Sequence, residues 1–282
     1  MNNPLPCGYL EHPVPLVTVL MTCWNSEMFL QEAIDSVKRQ HERSWELVIV
    51  DDGSTDTTRE ILQSQDDHRV RLILLDQNLG IPKALNHGLV AARGQYIARL
   101  DSDDVAAPSR LMTQVEFMES NPDVALVGGW LRTCGHGESR IIGHRASLDV
   151  GPQLLRGNRL LSSSVIIRTS ILRLHDLQYS SEHSNAQDYE LWLSVAQHGR
   201  VVILPEVVGT YRYHANQQTA VHGVRQRRLA LHSQFRALRG AYKIPNATRM
   251  LRCVGWMAFL RNIAGLQLHR ARSKVTRGMM NQ

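Results

Sequence analysis

Two carboxylates one residue apart, Asp101-Ser102-Asp103, close an apolar run of the chain. At a strand end such a pair offers hard oxygen ligands to one divalent cation, Mg²⁺ or Mn²⁺, and leaves positions open for phosphate oxygens. Taken alone, the triplet reads equally as a solvated acidic turn. An EF-hand is excluded, because that loop needs Gly at its sixth position and Glu at its twelfth, where Ala106 and Met112 stand. Asp51-Asp52-Gly53-Ser54 closes a second apolar run. Asp-Gly is a common turn, and a carboxylate there can also hold a ribose hydroxyl or a base imide. A third acid, Asp188, opens the run QDYELW. It is a helix cap, or a general base if it faces the cation site. Cys23 has no histidine partner fixed by the sequence and reads as a small buried filler. No GxSxG, Walker A or GxGxxG motif occurs, so hydrolase, P-loop and dinucleotide chemistry lack their signatures.

These acids need elements to carry them. Leu16 to Met21, Glu46 to Val50, Val70 to Leu75, Tyr96 to Leu100 and Val124 to Val127 are short apolar, β-branched runs that predict buried strands. Between them lie helical patterns. The first has Leu30, Ile34 and Val37 at helical spacing, with Asn25 or Ser26 as its cap. Pro82 begins a helix that Gly94 closes, and another follows Pro108. This alternation predicts an α/β fold, an open and mostly parallel sheet flanked by helices. Ligands bind beyond the carboxyl ends of such strands, so Thr22, Asp51 and Asp101 should share one functional edge. Downstream, periodicity is weak from Gly135 to Arg159. Ser162 to Arg168 is strand-like, Tyr189 to His198 helical, Val201 to Leu204 a strand, and Val224 to Gly240 and Ala247 to Arg272 two basic helices.

The chain has 282 residues, 43% apolar and 21% charged, which is globular composition. No run of about 18 uncharged apolar residues occurs, so no ordinary transmembrane helix is expected. Met1 to Pro15 has neither the basic residues nor the apolar stretch of a secretory signal. The cysteines, Cys7, Cys23, Cys134 and Cys253, are scattered without a CxxC pair, as suits a reducing cytoplasm. Charge is partitioned. Residues 1 to 220 carry 19 Lys and Arg against 26 Asp and Glu, a net −7, whereas residues 221 to 282 carry 13 Lys and Arg and no acid. The expected organisation is a body over 14–220 and a basic helical extension over 221–282. The stretch Cys253 to Leu266 is apolar and flanked by bases, too short to span a bilayer. It suits an interfacial helix with Trp256, Phe259 and Leu260 in the headgroup layer of an anionic membrane, or else a pair of helices packed back on the body. Nucleic acid is not an expected partner, because the body is acidic and the tail lacks a recognised motif.

In order and spacing, DDGSTD, the run Gly-x-Tyr-Ile-Ala-x-Leu-Asp-x-Asp-Asp ending at Asp104, and the run Asp-Tyr-x-Leu-Trp starting at Asp188 match one pattern. The chain resembles the family 2 glycosyltransferases, whose nucleotide-binding fold is called GT-A, from about Pro15 to Gln218. The resemblance implies an inverting, metal-dependent transfer from a nucleoside-diphosphate sugar, usually a UDP-sugar, to a hydroxyl acceptor. That acceptor could be a lipid-linked saccharide, and the setting bacterial envelope polysaccharide synthesis, in the cytoplasm or peripherally on the inner face of the plasma membrane. It also implies roles. Thr22 and Asp52 would contact the base and ribose, and Trp24 stands where the family more often has Tyr beside that base. Lys83 would approach the diphosphate, Asp101 would touch the ribose or the metal, and Ser102 would help bind the donor. Asp103 and His214 would hold the metal, with Arg212 a weaker diphosphate contact. Asp188 would be the catalytic base, preceded by Gln187 where the family usually has Glu. A sugar-nucleotide nucleotidyltransferase is the rival enzyme, but Thr22-Cys23-Trp24-Asn25 lacks its Gly- and Arg/Lys-rich triphosphate loop. A non-catalytic module that kept the fold is the other rival.

Overall fold

The computed structural model describes residues 14–263 except 136, 182–185, 216 and 249, with residues 218–222 described by their backbone alone. The chain runs β1 (Val17–Cys23), α1 (Leu30–Lys38), β2 (Trp45–Asp51), α2 (Thr58–Gln63), β3 (Val70–Leu74), α3 (Ile81–Ala91), β4 (Tyr96–Arg99), β5 (Val105–Ala106), α4 (Arg110–Ser120), β6 (Val124–Cys134) and β7 (Ile141–Ile142). Two 3₁₀ turns follow, Pro152–Arg156 and Ser162–Ser164. The chain then continues through β8 (Ile166–Arg168), α5 (Thr169–Leu174), α6 (Gln187–Val195), β9 (Arg200–Arg212) and α7 (Gln218–Leu238) to a last described helix, α8 (250–263).

The strands form one sheet in the order β3-β2-β1-β4-β8-β6-β9-β5, with β7 beside β6. The half that carries the acids, β3-β2-β1-β4, is wholly parallel, and β6 and β9 are also parallel. Strands β5, β7 and β8 run antiparallel to their neighbours. Alternation along β1 explains why the sheet is covered on both faces. Val17, Val19, Met21 and Cys23 enter one core with α1 and α4, and Leu20 enters the other with α3 and α6.

Several local expectations change. Helix α1 starts at Leu30, because Asn25 and Ser26 serve the loop instead of a cap. Asn25 takes a left-handed φ of 48° and accepts from the Thr55 amide at 2.8 Å. Gly94 does not close α3, which ends with Ala92 in extended conformation. A Cβ at Gly94 would lie 2.4 Å from the Thr18 nitrogen, so the glycine lets the chain pass against β1. Strands β6 and β9 extend well beyond their apolar starts, because their polar halves pair with each other through Thr133 and Tyr211. Ser162 to Ser164 is a turn, and the strand begins only at Ile166.

Helices α7 and α8 pack back on the body. Ala237, Leu238, Tyr242, Ile244 and Phe259 share one core with Leu154, Trp192 and Leu193. Trp256 and Phe259 turn inward onto Phe235, with ring centroids 5.8 and 5.7 Å away. Of the three residues expected in a headgroup layer, only Leu260 faces outward. The expected boundary near residue 220 falls inside α7, and residues 264–272 of the second basic helix lie outside the described residues. Among the described residues no helix is long and apolar enough to cross a membrane.

Candidate active site

Parallel pairing puts the ends of β1, β2 and β4 on one edge. Asp52 follows β2 and Asp101 follows β4, with β1 between them. Two strand spacings therefore separate the acids, about 10 Å. Asp51 is a structural acid, fully buried, that accepts from Arg59 Nε at 2.7 Å and from the Ser54 amide. Asp52 accepts from the Leu79 and Gly80 amides at 2.7 and 2.9 Å, which stitches the turn that opens α3. Burial holds its carboxyl above the ordinary range. Each oxygen keeps a second lone pair for a ligand. Lys83 lies exposed in the first turn of α3, on the same edge. Trp24 stands just past β1 with 48% of its surface open, and Thr22 is partly buried one strand position before the end of β1. The Ser102 and Ser26 hydroxyls meet at 3.0 Å and tie the acidic turn to the end of β1.

The acidic turn is held from three sides. Asp101 pairs with the buried Arg99 guanidinium at 2.5 Å and accepts from Ser163 Oγ at 3.1 Å. Asp103 Oδ2 lies 2.8 Å from His214 Nε2. Asp104 accepts from the Arg212 amide at 2.9 Å. Burial, reinforced by Asp101, raises the Asp103 carboxyl, and burial with Asp101 and Asp103 raises Asp104 well above the usual carboxylate range. Arg212 is already engaged. Its guanidinium bonds Glu32 and the Asp103 carbonyl and lies 4.5 Å over the Phe29 ring, so it braces the turn. Among the described residues no three His, Cys, Asp or Glu side chains are placed to ligate one ion. Asp103 with His214 is a two-ligand set. That fits Mg²⁺ or Mn²⁺, which commonly takes one or two carboxylates and completes its shell with substrate phosphates and water.

Asp188 sits in the first turn of α6. It accepts from Ser162 Oγ at 2.8 Å and from the Tyr189 amide at 2.8 Å. Burial raises its carboxyl. The Ser162 bond lowers it, Asp101 pushes it further up and Arg99 pulls it down, which places all three charges within electrostatic reach. Adjacent serines thus hold the two acids side by side, Ser162 on Asp188 and Ser163 on Asp101. Sequence reading missed both serines and Arg99. The triple-serine run before an apolar stretch looks like the start of a strand, and only the turn at 162–164 aims two successive hydroxyls at two acids.

Residues 18–174 match the family model for glycosyl transferase family 2. The chain is a family 2 glycosyltransferase. An uncharacterized glycosyltransferase of Haemophilus influenzae is 31% identical over 229 residues, 77% of this chain and 71% of that protein. UDP-Glc:alpha-D-GlcNAc-diphosphoundecaprenol beta-1,3-glucosyltransferase WfgD of Escherichia coli is 29% identical over 194 residues, 66% and 72% of the two chains. The mannosyltransferase PcManGT from Pyrobaculum calidifontis, solved with GDP-Man and Mn²⁺, has the same fold, with a TM-score of 0.65 and 18% identity over 94% of this chain and 80% of that one.

The serine pair makes a test of this glycosyltransferase site. Hydrogen bonds to charged groups contribute roughly 1.5–3 kcal/mol. Ser162→Ala should lower kcat about tenfold or more and leave the donor KM unchanged. Without the donated hydrogen bond the Asp188 carboxyl rises further, so the acid limb of the rate profile moves to higher pH. An unmoved limb with unchanged kcat would remove Ser162 from the site.

Proposed function

We propose that this glycosyltransferase moves a sugar from a UDP-sugar to a hydroxyl of a lipid-linked saccharide, with inversion and with a divalent cation, in bacterial envelope polysaccharide synthesis. One observation carries the reading. The acid best placed as a base, Asp188, and the acid turn with Asp103 and His214 are held together by consecutive residues of one turn. The relative that names UDP-Glc and a diphosphoundecaprenol acceptor supports the donor and acceptor classes.

Each side chain has a task. Thr22, Trp24 and Asp52 take the base and ribose, with the Trp24 ring offering a stacking face. Lys83, in the first turn of α3, faces the diphosphate, because a helix N-terminus favours anions. Asp101 and Ser102 complete the donor side. Asp103 and His214 would hold Mg²⁺ or Mn²⁺, whose chemistry when bound is to neutralise charge that develops on the leaving diphosphate. Asp188 takes the proton of the acceptor hydroxyl as that oxygen attacks the anomeric carbon. A single displacement inverts the centre. Cys23, the last residue of β1, is buried, and burial together with Asp51 keeps its thiol protonated. It is not a covalent nucleophile.

Incubation with a lipid-linked saccharide acceptor, a panel of nucleoside-diphosphate sugars and Mn²⁺ checks this. UDP release from one UDP-sugar is the expected result, with a product of opposite anomeric configuration by NMR. Retained configuration removes the single displacement. Pyrophosphate release from a nucleoside triphosphate turns the assignment to a nucleotidyltransferase.

A further inference from the structure

A second charged feature lies on the segment that leads into the two serines. Arg156 ends the 3₁₀ turn Pro152–Arg156, and Arg159 follows three residues later. Helix α8 lies against that turn. A Cβ at Gly255 would come within 2.9 Å of the Leu155 carbonyl oxygen, and Gln234 Nε2 bonds both the Leu155 and Gly255 carbonyls, at 3.1 and 3.4 Å. Arg261, exposed on α8, is six residues beyond Gly255, about 9 Å along the helix. Arg156 and Arg261 are both near enough to Arg159 to depress its guanidinium by repulsion, after burial. The one favourable group acting on it is the Tyr189 phenol, and among the described residues no carboxylate does. Among the described residues the buried Arg159 Nε has no hydrogen-bond partner, and Nη1 lies 3.2 Å from His144 Nδ1.

A half-buried guanidinium that feels two other arginines and, among the described residues, no carboxylate costs electrostatic energy unless an anion joins it. The place of the cluster says which anion. Arg159 is three residues before Ser162, which holds Asp188. Tyr189, next to Asp188, donates its hydroxyl to the Leu154 carbonyl of the same 3₁₀ turn. Arg159 therefore lies within about 10 Å along the chain of the serine that holds the base, on the segment that frames Asp188. Beside Arg261, α8 shows Met250, Met257 and Leu260 at 77%, 62% and 62% exposure, on one helical face. Cations next to an exposed apolar stripe suit an anion that carries a long apolar chain.

We propose that Arg156, Arg159 and Arg261 form a subsite for the diphosphate of a lipid-linked acceptor, with the lipid chain leaving along the Met257–Leu260 face of α8. This rests on the acceptor reading above and assigns that reading its residues. Farnesyl diphosphate is the probe, titrated by calorimetry into full-length protein saturated with UDP and Mn²⁺, so that the donor site is closed to it. It should bind, and farnesol should not. Arg159→Gln and Arg261→Gln should each weaken it about tenfold, as loss of one charge-assisted contact implies, with UDP affinity unchanged. Arg261 is exposed, so its variant keeps the fold, and thermal melting checks Arg159→Gln. Equal affinity in both variants, or binding that vanishes once UDP is present, overturns the subsite. A loss of flotation with phosphatidylglycerol vesicles, with farnesyl diphosphate affinity unchanged, overturns it in favour of a headgroup site. If no UDP-sugar is turned over yet the arginines still govern farnesyl diphosphate binding, the donor reading fails and the subsite stands.

Discussion

With Asp188 as the proposed base, Asp188→Asn should silence transfer and spare donor binding. The substitution keeps shape, and the Asn carbonyl oxygen can still accept from Ser162 Oγ, so the start of α6 stays in place. What disappears is the ability to accept the acceptor's proton, a contribution of roughly 10²–10⁴ in rate. UDP-sugar affinity by calorimetry should match wild type, because the donor contacts proposed above are made by other side chains. The pH profile gives an independent check. Burial raises the Asp188 carboxyl, and a base works only when ionised. The acid limb of kcat/KM therefore lies above the ordinary aspartate value, and activity is lost earlier on acidification than a solvated aspartate would dictate. Near wild-type turnover in Asp188→Asn removes the base from this position.

The acids themselves were legible because each closes an apolar run, and a parallel sheet aligns such ends. Asp52, Asp101 and Asp103 needed nothing more than strand order. The less legible parts depend on contacts far apart in the chain. That Ser162 and Ser163 face different acids follows from a three-residue turn, and three identical serines carry no sign of it. Arg212 lies beside His214 and looks equally available, yet Glu32, 180 residues away, claims its guanidinium. The tail, which composition leaves between an interfacial helix and a pair of helices packed back on the body, is decided at Trp256 and Phe259 by a similar contact. Trp256 and Phe259 fit an interfacial helix by composition, but Phe235 on α7 offers them an apolar face inside the protein, and burial there removes more apolar surface from water. Arg156, Arg159 and Arg261 are unremarkable as letters, since only the packing of Gly255 on Leu155 brings α8 to that turn.

Asp103→Asn separates the cation site from the base. Asp103 and His214 are the pair that would hold the ion, and removing the carboxylate leaves one neutral ligand and an amide, a poor set for a hard cation. Loss of several kcal/mol of transition-state stabilisation corresponds to roughly a thousandfold lower kcat. Unlike Asp188→Asn, this variant should lose the Mn²⁺ dependence of UDP binding. Excess EDTA should silence the wild-type enzyme, and added Mn²⁺ or Mg²⁺ should restore it. Stability should move the other way. Burial and the neighbouring carboxylates make the Asp103 charge unfavourable in the metal-free fold, as its raised carboxyl shows. Neutralising it relieves Asp101 and Asp104, so the melting temperature of metal-free Asp103→Asn should not fall below wild type at neutral pH. An inactive variant that is at least as stable attributes the loss to chemistry and excludes misfolding. Full wild-type activity in excess chelator removes the metal from the mechanism and leaves Lys83 and the α3 N-terminus to meet the leaving diphosphate.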